Sequence, residues 1–161
     1  MPKKSHKWDY KVFSRCGASG IIYNFEIYTG KSNEKATNLG ITGDLVMCLC
    51  ENITKNKNYK VFFDNFFTSL PLLKHLKQEG ILALGTIRNN RMCGAQKSLQ
   101  SDKVLKSRGR GNYEWRVDAN SNTMVIKWND NNIVSLASNF VGNEEGESLK
   151  RLVAKDHRYE Q

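Results

Sequence analysis

The chain holds no apolar stretch long enough to cross a membrane, and no positively charged leader followed by an apolar core of the kind that directs secretion. An intracellular protein is therefore expected. Its four cysteines, Cys16, Cys48, Cys50 and Cys93, include no Cys-x-x-Cys pair, which argues against a structural zinc site and for free, buried thiols in a reducing compartment. Histidines are scarce and isolated at His6, His75 and His157, so no Ser-His-Asp or Cys-His nucleophile can be assembled. Lys106-Ser-Arg-Gly-Arg-Gly111 lacks the Gly-Lys-Ser/Thr ending of a phosphate loop, which sets nucleotide binding aside. Acidic residues are also few, 16 Asp and Glu against 25 Lys and Arg, and the resulting +9 charge is uneven.

That unevenness is informative. Residues 1–15 hold five Lys/Arg against Asp9, a net +4, while residues 86–116 hold eight against Asp102 and Glu114, a net +6; the remainder sums to −1. Clustered positive charge suits a polyphosphate partner, because each Lys or Arg placed near a phosphate releases condensed counterions. Arg88, Arg91, Lys106, Arg108 and Arg110 are the candidate DNA-binding residues. The competing reading makes the stretch from Lys97 to Arg110 a solvated, flexible loop.

With 161 residues and 39% hydrophobic content, the chain can bury one core. Trp8 to Arg15 and Ile21 to Tyr28 read as paired strands across the turn Cys16-Gly-Ala-Ser-Gly20. Ile41, Leu45, Val46 and Leu49 mark one face of a helix. The continuously apolar run Val61-Phe62-Phe63 suits a central strand covered on both faces. Ser69 is a fitting N-cap with Pro71 in the first turn, Leu72, Leu73 and Leu76 keep helical spacing, and Gly80 supplies the stop. Ala83 to Thr86 should be the next strand. Tyr113 to Val117 and Met124 to Trp128 alternate as a hairpin, and Ile133 to Ser138 supplies a third strand. The order is that of an α/β fold.

Asp64 stands where this pattern ends an apolar strand and opens a loop before a helix, a position from which a rigidly held carboxylate can present oxygens to Mg²⁺. The bland alternative is that Asp64 caps the turn that follows. Trp115 and Trp128 are read as cross-strand packing partners rather than base-stacking platforms.

The phrase Phe63-Asp64-Asn65-Phe66-Phe67-Thr68-Ser69-Leu70-Pro71-Leu72, followed by Gly85-Thr86-Ile87-Arg88-Asn89-Asn90-Arg91, resembles the catalytic core of piggyBac-type transposases. The resemblance takes in Tyr23-Asn24-Phe25-Glu26-Ile27-Tyr28-Thr29-Gly30-Lys31 upstream and Ile126-Lys127-Trp128-Asn129-Asp130 with Val134 to Asn139 downstream. It implies a ribonuclease-H-like core, incomplete here, interrupted by a β-rich insertion, with three aspartates holding two Mg²⁺ ions for cut-and-paste DNA cleavage and strand transfer. Asp64 matches the second aspartate. The first is expected ahead of the Lys-Trp stretch at Lys7-Trp8, and the third in a Gly-Gly-Val-Asp-type motif that this sequence lacks. The implied organisation is a partial catalytic core over 1–86, a basic β-rich insertion over 87–140 and a polar, disordered tail over 141–161. The implied setting is nuclear, with DNA as partner, dimerisation with a full-length transposase, and Mg²⁺ held weakly or not at all. Asp44 and Asp130 are the candidate substitute carboxylates. The alternatives are a domesticated, non-catalytic DNA-binding module and a decayed transposon remnant.

Overall fold

A computed structural model describes residues 10–28, 37–140, 151–153 and 158–160. The hairpin β1 (Lys11–Cys16) and β2 (Ile22–Tyr28) forms a two-stranded antiparallel sheet by itself. Helix α1 (Ile41–Cys50) packs on it, with Arg15 Nε donating to the Leu49 carbonyl at 2.7 Å and Asn24 Nδ2 to the Cys48 carbonyl at 3.2 Å. The remaining described elements up to residue 138 build one five-stranded sheet. Strand β3 (Lys60–Phe63), helix α2 (Leu70–Gln78) and strand β4 (Leu82–Thr86) form a parallel crossover unit. Two 3-10 turns and a short helix α3 (Asp102–Ser107) follow. Strands β5 (Tyr113–Asp118), β6 (Thr123–Asn129) and β7 (Ile133–Ser138) are antiparallel, and the sheet order is β3-β4-β7-β6-β5.

Helix α2 forms as its sequence dictates. The Ser69 hydroxyl accepts from the Leu72 amide, Pro71 needs no donor in the first turn, and Leu72, Leu73 and Leu76 are fully buried against Ala83, Val125 and Ala137. Gly80 ends it at φ 70°, a left-handed conformation, and a Cβ there would lie 2.5 Å from the Asn56 Cα. Glycine alone fits.

Several expectations change. Strand β3 is not central but the edge of its sheet, and Phe62 is 65% exposed while Val61 and Phe63 turn to the core. An apolar run by itself cannot tell a strand buried on two faces from one buried on a single face. The stretch from Lys97 to Arg110 is not a plain loop: Ser101 caps α3 by accepting from the Val104 amide, and Leu99 and Leu105 are buried. The boundary expected after residue 86 falls at the end of β4, which pairs with β7, so one sheet runs across it. Among the cysteines only Cys50 is buried, where desolvation pushes its thiol up to about 11; Cys16 and Cys93 are exposed, and Cys48 donates to Glu26 Oε1 at 2.8 Å. In the tail expected to be disordered, β8 (Arg151–Val153) pairs with β9 (Arg158–Glu160). His6, His157 and the tail's other residues lie outside the described residues. No helix among those described is long and apolar enough to cross a membrane.

Candidate active-site turn and basic surface

Asp64 follows the last residue of β3 and is exposed. Its Oδ1 accepts from the Phe66 amide at 2.9 Å, and its carbonyl accepts from the Thr68 hydroxyl at 2.7 Å and from the Phe67 and Thr68 amides at 3.2 Å. The capping role set against a metal role is therefore present in the structure. It engages one oxygen and holds the other features of the turn in register.

The turn is fastened from outside as well. Arg91 Nη1 donates to the Phe66 carbonyl at 2.6 Å and to the Thr42 hydroxyl at 3.1 Å, joining the turn to the start of α1. Arg88 Nε donates to Asn65 Oδ1 at 2.9 Å. The Phe13 ring of β1 stacks on Phe66 at 6.1 Å and meets Phe67 edge-on at 5.7 Å, with Lys11 Nζ lying 4.7 Å from the Phe13 and Phe66 rings. Beneath, Gly85 lets β4 approach so closely that a Cβ would lie 2.4 Å from both the Phe63 carbonyl and Thr68 Oγ1. The partners Asn65, Thr68 and Thr42 were not singled out from sequence. Asn65 and Thr68 stand in the phrase Asp64 to Ser69 and their partners' phrase is Gly85 to Arg91, but the pairing is spatial, and Thr42, at the start of α1, lies in neither phrase.

The basic candidates separate into two groups on different elements. Arg88 and Arg91 belong to the Asp64 turn. Lys106, Arg108 and Arg110 gather at the end of α3, where Lys106 and Arg108 are exposed and Arg110 Nε lies 3.2 Å from Asp130 Oδ1. Asp130, one of the substitute carboxylates, thus faces a guanidinium. Asp44, the other, accepts from the Thr37 amide at 2.9 Å and from the Thr37 hydroxyl. Among the described residues no group of three or more His, Cys, Asp or Glu side chains is placed to hold a metal ion. Mg²⁺ commonly binds through one or two carboxylates with phosphate oxygens and water. Asp64 fits as one such ligand, and the described residues do not complete a set around it.

A groove of about 900 Å³ opens beside the turn, between β1 and β3, with α1 contributing Val46, Leu49 and Cys50 to its wall.

The "Transposase IS4" family model matches residues 1–159. Human piggyBac transposable element-derived protein 3 is 37% identical over 144 residues, covering 86% of this chain and 23% of that protein. The chain belongs to the piggyBac-type transposase family. Human piggyBac transposable element-derived protein 2 is 30% identical over 138 residues, which is 84% of this chain and 23% of that protein. The mixed α/β fold also matches a piggyBac transposase solved by cryo-electron microscopy as a synaptic complex with hairpin DNA, at a TM-score of 0.68 and 22% identity, over 92% of this chain and 30% of that one. The chain spans about a quarter of the length of these curated piggyBac relatives.

Proposed function

We propose that this chain is the middle part of a piggyBac-type transposase catalytic domain, ribonuclease-H-like in its core, which binds DNA but carries out no strand chemistry by itself. The observation that carries the reading is Asp64: an exposed carboxylate in a turn tied by Arg88 and Arg91, inside the phrase that carries the resemblance and within the stretch that the family model matches. Asp64 takes the role of one metal ligand. When bound, Mg²⁺ would supply Lewis-acid stabilisation of the phosphate and activation of the attacking hydroxyl. The chain's own contribution is to hold the carboxylate rigidly and to bring phosphates near through the basic residues. DNA as partner supports a nuclear location. The solved relative described as a complex with hairpin DNA favours the same partner.

Within the basic set, Lys106 and Arg108 are proposed as the principal phosphate contacts with Arg110 beside them, and Arg88 and Arg91 approach DNA only as members of the Asp64 turn. Duplex DNA should bind with a dissociation constant of order 10⁻⁴–10⁻⁶ M at physiological salt and little sequence preference. A salt titration checks this. Lys106→Gln with Arg108→Gln should lower the slope of log affinity against log salt by about 2, since each lost phosphate contact is worth about 0.9. An unchanged affinity and slope would return the end of α3 to the class of solvated surface.

The same preparation should give no detectable Mg²⁺-dependent nicking or strand transfer on a supercoiled substrate. Robust transfer abolished by Asp64→Asn would show that other carboxylates complete the site, and would overturn the proposed lack of chemistry. The non-catalytic binding-module reading is favoured by one observation, the exposure of Lys106 and Arg108 away from the Asp64 turn.

A further inference from the structure

The end of α3 carries a hydroxyl among its cations. Ser107 is the last residue of the helix and is exposed, and its Oγ donates to the Val104 carbonyl at 2.8 Å in a bond that is itself open to solvent. Lys103 and Lys106 stand four and one residues before it, and Arg108 and Arg110 one and three residues after it. Lys103, one helical turn back, shares the Ser107 face of α3. The only acid between residues 101 and 112 is Asp102, which Lys127 engages at 2.8 Å at the other end of the helix.

The chain after Ser107 is held clear of the sheet. Gly109 at φ 93° and Gly111 at φ 87° turn it toward β5, and a Cβ at Gly111 would meet nothing within 4 Å. Asn112 Nδ2 donates to the Arg108 carbonyl at 2.8 Å and Asn129 Nδ2 to the Gly109 carbonyl at 2.6 Å, which gives the turn one shape while Arg108 and Arg110 stay exposed. Leu105, two residues before Ser107, is fully buried and keeps α3 docked. An enzyme that reaches the hydroxyl therefore reads the exposed side, from Lys106 to Gly111.

We propose that Ser107 is a phosphorylation site for a basophilic serine/threonine kinase, and that its phosphate switches off the phosphate-binding surface around it. Cations on both sides of an accessible hydroxyl fit a kinase whose substrate groove is acidic. Ser107 Oγ attacks the γ-phosphorus of ATP, and the Oγ–P bond forms as the bond to the oxygen shared with the β-phosphate breaks. ADP leaves, and the hydroxyl proton passes to the kinase's catalytic carboxylate. The product carries about −1.5 to −2 charge at pH 7 and three strong acceptor oxygens. Lys103 and Arg108 are placed to donate to them, and Arg110 is drawn from Asp130, which it now faces at 3.2 Å. The switch rests on the proposed reading of Lys106 and Arg108 as DNA contacts. Cations neutralised by an internal phosphate no longer exchange counterions for an external one.

Incubation of the whole folded chain with ATP, Mg²⁺ and the catalytic domain of protein kinase C tests the proposal. Mass spectrometry should find phosphate at Ser107, and Ser107→Ala should take up none there. The unmodified chain and Ser107→Ala should bind duplex DNA alike. The phosphorylated chain should bind about tenfold or more weakly, with the slope of log affinity against log salt lowered by about 2, and phosphatase treatment should restore both. Ser107→Glu, which adds a single charge, should fall between. No uptake by the folded chain, uptake at Ser107 only after unfolding in urea, or a phosphorylated chain that binds DNA like the unmodified one overturns the proposal. A chain that takes phosphate at Ser107 but binds no DNA in either form supports the site and overturns the DNA reading on which the switch rests.

Discussion

Asn139→Leu is expected to cost about 3–5 kcal/mol, a large share of the ~5–15 kcal/mol that holds a domain folded. Asn139 is fully buried just beyond β7. Its Oδ1 accepts from the Ala83 amide at 2.7 Å, and its Nδ2 donates to the Leu73 carbonyl at 2.9 Å and the Ile81 carbonyl at 3.1 Å. One amide thereby joins α2, the turn after it, β4 and the end of β7. Leucine keeps the branched outline of asparagine but is bulkier and satisfies none of these groups, and a buried polar group left alone costs about 1–3 kcal/mol. Urea unfolding should show a lower midpoint at an unchanged slope. A loss below about 1 kcal/mol would mean that water or a backbone shift replaces the amide.

Gly85→Ala should have the second large effect, about 1–3 kcal/mol in stability with the greatest disturbance at the Asp64 turn. The added methyl has backbone on one side and a buried hydroxyl on the other, at 2.4 Å each. Neither is the free end of a flexible chain. Relief requires β3 to separate from β4 or Thr68 to release the Asp64 carbonyl, which its hydroxyl reaches at 2.7 Å. Amide hydrogen exchange at Phe66, Phe67 and Thr68 is the direct measurement. Exchange there should accelerate more than at Leu73 or Leu76 in the core of α2. Uniform acceleration, or none, would show that Gly85 does not hold the turn.

These two positions mark different degrees of legibility. Gly85 lies in a phrase that the family resemblance had already singled out, and Asp64 could be placed at a strand end from the apolar run before it and the capped helix after it. Arg91 was legible as charge and not as a clamp: a guanidinium that reaches the Phe66 carbonyl across 25 residues leaves no periodic trace. The same holds for Lys127, an alternating strand residue that proves to be buried and paired with Asp102 at 2.8 Å. Lys74 belongs with them, since its hydrogen bond leads those that hold the Asp118 carboxyl down at about 2.

Local sequence determined the elements of this protein. Ser69, Pro71 and Gly80 bound α2, the leucines between them fix its buried face, and alternation in Tyr113 to Val117 and Met124 to Trp128 fixes the hairpin. These are interactions within a few residues, and periodicity reports them directly. Tertiary structure decided the rest: that β3 is an edge among the described strands, that β7 pairs with β4 and so unites the two halves, and that α3 forms where glycines and lysines suggest a loop. Each depends on which distant strands pair, and hydrophobic pattern does not encode pairing partners. An apolar residue is marked for burial by its chemistry, but what buries it is chosen by the fold.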